Sequence, residues 1–302
     1  MLGDRQVVAA EMAEAASRIG FFYVANHGVD DRLIANTFAQ TKRFFDLPLA
    51  AKQELGTARS IAHRGYEPLE SQTFNPGDAP DLKESFYIGV ERDEHDPLVQ
   101  AKLPNHGPNQ WPDLPGWQEQ MEAYFAVMLS LSRRLMRGLA LSLDLDETVF
   151  DNLGDNPMAL LRLLHYPPQL ATSVANQPGC GTHTDWGAVT VLAQDDRGGL
   201  AVCTTDGVWV EATPIPGTFV VNLGDMMARW TNDRYQSTPH RVMNVPGCDR
   251  YSIPFFYDLN YHAVVKCLPT CHSPENPPKY PPVTAGEHIL QMYRKTYGSL
   301  VA

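Results

Sequence analysis

The chain has 302 residues, 43% hydrophobic and 20% charged, with 24 Lys and Arg against 35 Asp and Glu for a net charge of −11. That acidity, with no Lys/Arg-rich run, argues against a nucleic-acid partner. No stretch approaches the roughly eighteen apolar residues of a membrane span, and Met1–Ala10, carrying Asp4 and Arg5, lacks the apolar core of a secretory signal.

In chain order, Val7 to Ile19 is alanine-rich with apolar residues at helical intervals and predicts a helix. A short strand over Phe21 to Ala25 and a turn at Asn26-His27-Gly28 follow. Asp30 is placed to cap a helix running to Phe45, with Leu33, Ile34, Phe38, Phe44 and Phe45 on one side. Pro48 opens another helical turn. Residues 56–115 read as irregular, rich in Gly and Pro, with one strand at Glu84 to Val90. The longest helix is expected from Gly116 to Leu143, where Met121, Tyr124, Met128, Leu131, Leu135 and Leu139 belong to an apolar stripe suited to core packing.

From Met158 the texture changes to short strand-like runs between Gly, Pro and Asp turns. These runs are Leu160 to His165, Ala188 to Ala193, Leu200 to Cys203, Trp209 to Ala212, Phe219 to Asn222, His240 to Asn244 and Tyr251 to Tyr257. So dense a series predicts a mainly β fold whose core is a double-stranded β-helix, or jelly roll, with a helical region on its N-terminal side. Thr284-Ala285-Gly286-Glu287 is a capping box opening a final helix to Tyr297. The expected organisation is a helical and irregular region packed on the core (1–115), a long helix supporting the roll (116–157), the roll itself (158–260), and a C-terminal loop and helix (261–302).

The chemistry concentrates late in the chain. His183-Thr184-Asp185 is the only place where a histidine is followed two residues later by a carboxylate. On a strand, residues i and i+2 share a face, so His183 and Asp185 can point into one cavity while Trp186 points away. His240 from a neighbouring strand would complete two imidazoles and one carboxylate, a facial set that leaves metal positions open. Arg250 and Ser252 share a strand face inside an apolar run, and a guanidinium beside a hydroxyl is a receptor for a carboxylate. Zinc is the competing metal for such ligands. No Gly-x-Ser-x-Gly elbow, His-Glu-x-x-His helix or glycine-rich phosphate loop accompanies them. Cys267, Cys271 and His272 could begin a zinc site, but no second Cys/His pair follows. The five cysteines form no disulfide framework, which suits a reducing cytoplasm.

Several stretches in this order resemble the iron(II)- and 2-oxoglutarate-dependent dioxygenases of the isopenicillin N synthase-like family, which includes plant gibberellin oxidases and bacterial ethylene-forming enzyme. They are Gly20 to Val29, Leu82-Lys83-Glu84-Ser85-Phe86, His165-Tyr166-Pro167-Pro168, His183-Thr184-Asp185, Asn222-Leu223-Gly224-Asp225, Ser237 to Val242, and Arg250-Tyr251-Ser252. The resemblance implies Fe(II) held by His183, Asp185 and His240, with 2-oxoglutarate and O2 as co-substrates. It implies that Arg250 and Ser252 grip the distal carboxylate of 2-oxoglutarate, assisted by Tyr166. It further implies hydroxylation, desaturation or cyclisation of a small molecule, with release of succinate and CO2. An isopenicillin N synthase-like oxidase would keep the Arg-x-Ser pair without using 2-oxoglutarate, and a non-catalytic cupin-like protein would keep only the roll.

The sequence departs from the family in two places. The family usually begins with a strand that would precede the first helix here. It also often has Asn where Leu164 stands, a loss that Arg162 on the same strand face could replace, unless Arg162 meets the substrate instead. Phe74, Tyr87, Trp209, Trp230, Phe256 and Tyr257 are the aromatic candidates for the substrate pocket, and His27 and His165 read as structural.

Overall fold

The structure, a computed structural model, describes residues 4–73, 77, 79–169, 177–244 and 247–297. Its helices are α1 (Arg5–Arg18), α2 (Asp31–Phe45), α3 (Leu49–Gln53), α4 (Pro97–Gln100), α5 (Trp117–Ser142), α6 (Asp225–Trp230) and α7 (Ala285–Tyr297). The early strands are β1 (Phe21–Ala25), β2 (Gly65–Glu67), β3 (Glu84–Gly89) and β4 (Leu160–Tyr166). The roll continues with β5 (Cys180–His183), β6 (Val189–Gln194), β7 (Leu200–Cys203), β8 (Trp209–Glu211), β9 (Thr218–Leu223), β10 (His240–Val242) and β11 (Arg250–Tyr257). A last pair is β12 (Val264–Val265) and β13 (Val283–Thr284).

Among the described residues the strands form a seven-stranded sheet, β1-β9-β6-β11-β4-β3-β2, and a four-stranded sheet, β5-β10-β7-β8, beside the β12-β13 pair. Neighbouring strands in the two large sheets run antiparallel. Strand alternation decides which side chains lie between the sheets. Leu161, Leu163, Val191, Val221, Ile253 and Phe255 join the core on the helix side of the large sheet. Leu164, Tyr166 and Val220 face inward and meet Cys180, Leu200, Val202 and Val242 of the small sheet. This double-sheet core is the expected jelly roll.

The apolar stripe of α5 is buried as its spacing requires: Trp117, Met121, Tyr124, Met128 and Leu139 are each 0% exposed. Gly116 is the N-cap and not the first helical residue, at φ 75°, in the left-handed region that favours glycine. α1 and α2 pack against α5. The N-terminal region does more than lie on the roll. β1 pairs with β9 at one edge of the large sheet, and β3 with β2 extends it beyond β4 at the other. A three-residue strand such as β2 and the helix α6 carry too few residues to register a period, and sequence reasoning passed over both.

Candidate active site

β5 and β10 pair so that His183 and His240 lie directly opposite each other. Their ring centroids are 4.3 Å apart. Asp185 Oδ1 lies 3.8 Å from the Nε2 of each ring. His183, Asp185 and His240 each offer one ligand atom, all within 4.8 Å of one another, and among the described residues no other group of three or more such side chains converges this way. Cys267, Cys271 and His272 therefore form no second cluster.

Each ligand atom is set by a partner behind it. The Nδ1 of His183 faces the Gly181 carbonyl at 2.8 Å, and that of His240 faces the Thr238 carbonyl at 3.1 Å. A ring that donates from Nδ1 to a carbonyl presents the lone pair of Nε2. The Oδ2 of Asp185 accepts from the Thr190 hydroxyl at 2.5 Å and the Asn222 amide at 2.6 Å. Thr190 and Asn222 are register partners on β6 and β9, so one rung of the large sheet holds the carboxylate.

Asp185 is not on the strand. β5 ends at His183 because the chain then turns to receive α6: the Asp185 carbonyl accepts from Asp225 N at 2.8 Å and that of Gly187 from Met226 N at 3.1 Å. The strand period therefore lapses, and Trp186 does not pack away from the metal ligands. It lines the same cavity as His183 and Asp185.

Burial and then the neighbouring His183 hold His240 down to about 4, and burial also lowers His183. Burial alone would raise Asp185, but His240, His183 and its two hydrogen-bond donors overcome this and leave it below the usual carboxylate range. Neutral imidazoles beside an ionised carboxylate are the protonation state a divalent cation requires.

Arg250 and Tyr166 are register partners across β11 and β4. Arg250 is 1% exposed, with its Cζ 4.7 Å from the Tyr166 ring centre. Its Nε donates to the Gly198 carbonyl at 2.6 Å, its Nη2 reaches Gln194 Oε1 at 3.5 Å, and its buried Nη1 has no partner among the described residues. Gly199, at φ +85°, could carry no Cβ without meeting the Met243 carbonyl, so the turn beside the guanidinium depends on glycine. Ser252 is buried on the same face and bonds the Tyr166 hydroxyl, which burial keeps protonated. A fixed guanidinium with an unsatisfied donor, a hydroxyl and a phenol fits the distal carboxylate of a dicarboxylic acid. Two imidazoles and a carboxylate fit a ferrous ion.

A cavity of about 130 Å³ opens on the His183 and Asp185 side, and Arg250, Ser252 and Tyr166 are not among its lining residues. Arg162 is, with its Nη2 donating to Glu67 and Ser85 at 2.9 Å each and to Gln72 at 3.2 Å. Its guanidinium stands 4.5 Å from the Tyr87 ring centre. Tyr87 and Phe256 line the cavity as expected. Trp230 and Tyr257 are instead buried in the helix-side core, and Trp209 stacks on Arg241 at 4.0 Å. Phe74 lies outside the described residues. His27 and His165 are structural: His27 accepts from Val29 N, and His165 bridges Glu84 and Asp249.

Sequence reasoning missed Arg64, Gln72, Asp258 and Tyr293, which line the cavity, and the orienting role of Thr190 and Asn222. Only Asn222 left a signal, as part of a family-like stretch.

A family model for the 2OG-Fe(II) oxygenase superfamily matches residues 157–259, and one for the N-terminal part of non-haem dioxygenases in morphine synthesis matches residues 2–114. The 2-oxoglutarate-Fe(II) type oxidoreductase hxnY of Emericella nidulans is 40% identical, over 95% of this chain and 84% of its own length. Azadirone synthase LFS of Melia azedarach is 36% identical over 97% and 90%. A full-length Neurospora crassa protein, solved in complex with alpha-KG, superposes with a TM-score of 0.85 at 33% identity over 96% of this chain and 92% of its own. A putative 2OG-Fe(II) oxygenase of Caulobacter crescentus gives 0.86 at 32% identity over 97% and 95%. With a jelly roll, a His-Asp-His cluster and these relatives, the chain belongs to the 2OG-Fe(II) oxygenase superfamily, as an isopenicillin N synthase-like dioxygenase that works with Fe(II) and 2-oxoglutarate.

Proposed function

We propose that His183, Asp185 and His240 hold the iron, that Arg250, Ser252 and Tyr166 hold the distal carboxylate of 2-oxoglutarate, and that Arg162 borders the substrate and not the co-substrate. One observation carries this reading: the orphaned Nη1 of buried Arg250 and the three converging ligand atoms occupy one roll, with the cavity on a separate side of the ligands. Bound there, iron, 2-oxoglutarate and O2 supply oxidation of a C–H bond coupled to release of succinate and CO2. The protein's part is positional. Gly181 and Thr238 set the ring tautomers, Thr190 and Asn222 commit one oxygen of Asp185, and the cavity walls present the substrate.

The substrate is a small molecule. Supporting this, the N. crassa protein has also been solved with thymine, JOX2 with 2OG, Fe and JA, and a rice neighbour is named a dioxygenase for auxin oxidation. The cavity, at about 130 Å³, is close to the roughly 150 Å³ that accommodates one benzene-sized ring.

The assignment is tested by anaerobic absorption. Wild-type protein with Fe(II) and 2-oxoglutarate should develop a weak visible charge-transfer band. His183→Ala should abolish it. Arg250→Ala should keep iron while raising the 2-oxoglutarate needed for half-saturation roughly a hundredfold, as expected for a lost charge-assisted fork. A band that survives His183→Ala, or 2-oxoglutarate affinity indifferent to Arg250, would overturn it.

A further inference from the structure

Six cationic side chains are buried among the described residues: Lys52, Arg64, Lys83, Arg92, Arg162 and Arg250. Four of them are ion-paired with a carboxylate, Lys52 with Glu84, Lys83 with Asp81, Arg92 with Asp96 and Arg162 with Glu67. Arg250 and Arg64 are not. For Arg250 the missing anion is the co-substrate proposed above. Arg64 poses the same question at a second place.

Arg64 is 5% exposed and lines the cavity beside the metal ligands. Its Nη1 donates to the Ala62 carbonyl and its Nη2 to the Asn105 carbonyl, both at 2.8 Å. A guanidinium has five N–H donors. Three therefore remain without a partner among the described residues, including that of the buried Nε. Neutral carbonyls orient the fork without cancelling its charge. Glu91, whose field reaches Arg64, is already bound by Asn109 and Trp111. Burial pulls Arg64 down to about 10, so it is still a cation at neutral pH. Packing also holds the group in place: it lies against Gly89 of β3, where any Cβ would strike the guanidinium. A fixed, desolvated guanidinium with no carboxylate in contact is a receptor that an anion would complete.

We infer that the primary substrate is a small cyclic or aromatic carboxylic acid whose carboxylate is received by Arg64, with its ring between the aromatic walls Tyr87, Trp186 and Tyr293. The ring walls and the 130 Å³ volume set the size, and the placement of His183 and Asp185 on the same cavity sets the end that is oxidised. Asp258, the other acid of the cavity, does not occupy Arg64. It is tied to Ala188 N at 3.1 Å and packed on Gly187, at the metal end. Arg162 is already neutralised by Glu67 and serves as a neutral hydrogen-bonding wall. This inference rests on the cavity being the substrate side of the iron site.

The test is binding, not turnover. A library of one- and two-ring carboxylic acids, including benzoate, phenylacetate and indole-3-acetate, is titrated calorimetrically against anaerobic protein holding Fe(II) and saturating 2-oxoglutarate. Each acid is paired with its primary amide. Acids that bind are expected to exceed their amides at least tenfold. Arg64→Gln should abolish that preference, and Arg64→Lys should restore part of it, with the charge-transfer band and 2-oxoglutarate affinity unchanged in both. The comparison of acid with amide on wild-type protein needs no variant to fold. A library in which acids show no advantage, or an advantage that survives Arg64→Gln, overturns the inference. If the band itself fails to form, the iron and 2-oxoglutarate assignment has failed instead.

Discussion

Thr190 and Asn222 donate to one oxygen of Asp185 and leave the other toward the two imidazoles. A carboxylate held this way offers a single directed ligand atom. Asn222→Ala, or Thr190→Val, is expected to weaken Fe(II) or Mn(II) affinity by roughly 10–100-fold without unfolding the roll, as is typical when a ligand's supporting partner is lost. Metal titration followed by fluorescence would show it, and unaltered affinity in both variants would sink the account. Asp258 carries a second prediction. Burial, with the nearby Asp185 charge, pushes its carboxyl up to about 7 from 3.8. In metal-free protein between roughly pH 4 and 7, the folded state keeps a proton that the unfolded chain has released. The group's contribution to stability is therefore complete at low pH and lost as pH rises through about 7. Asp258→Asn removes that loss and keeps an oxygen for the Ala188 N–H. From pH 4 to pH 8 the stability of the variant relative to wild type should rise by on the order of 2–4 kcal/mol, read from urea midpoints. A difference that does not change with pH would refute it.

The element that shapes the cavity from outside is α7. Thr284 and Glu287 form the expected capping box: the Thr284 hydroxyl accepts from Glu287 N at 3.2 Å, and the Glu287 carboxylate accepts from Thr284 N at 3.2 Å and from its hydroxyl at 2.8 Å. The helix then brings Ile289 and Tyr293 to the cavity, with Tyr293 edge-on to Trp186 at 5.1 Å. Thr284→Ala should cost about 1 kcal/mol of helix stability. Hydrogen exchange should quicken over residues 285–293, and ligands of the cavity should bind more weakly while 2-oxoglutarate affinity stays constant. Equal losses for both ligands would show that α7 does not act on the cavity. In α5, Leu139 is 0% exposed within the helix-side core, so Leu139→Ala should cost roughly 2–5 kcal/mol in chemical denaturation. A loss below about 1 kcal/mol would mean that the stripe does not anchor the sheet.

At the scale of the molecule, the N-terminal region and the roll share a sheet. β1 covers the edge of β9, and β3 with β2 continues the sheet beyond β4. We propose that residues 1–115 and 158–260 unfold together, with α5 between them as the support of the large sheet. A chain shortened to begin after Ala25 would expose the whole pairing edge of β9, and uncovered edges recruit other chains. It should aggregate on expression, whereas the full chain should show one cooperative thermal transition by calorimetry. A soluble, folded and iron-binding truncated chain would disprove this unity. Among the described residues no helix is long and apolar enough to cross a membrane.

Periodicity made the longer helices and most strands legible, because a helix or strand that must bury one face writes that face into its own spacing. The apolar stripe of α5 and the alternation of Arg250 and Ser252 on β11 could be read for that reason, and His183-Thr184-Asp185 could be read as a ligand motif. The same rule misplaced Trp186, because the start of α6, and not the strand period, decides where the chain goes after His183. Arg64, Gln72, Asp258 and Tyr293 carry no local pattern that marks them for a cavity. They meet there because the β3-β4-β11 register, the closing helix α7 and the carbonyls of Ala62 and Asn105 place them against the iron ligands. Secondary structure follows from interactions between near neighbours in the chain, and the ligand residues are visible there as types, whereas the meeting of His183 with His240 across β5 and β10 and the substrate cavity are products of packing between distant segments, settled only in the folded chain.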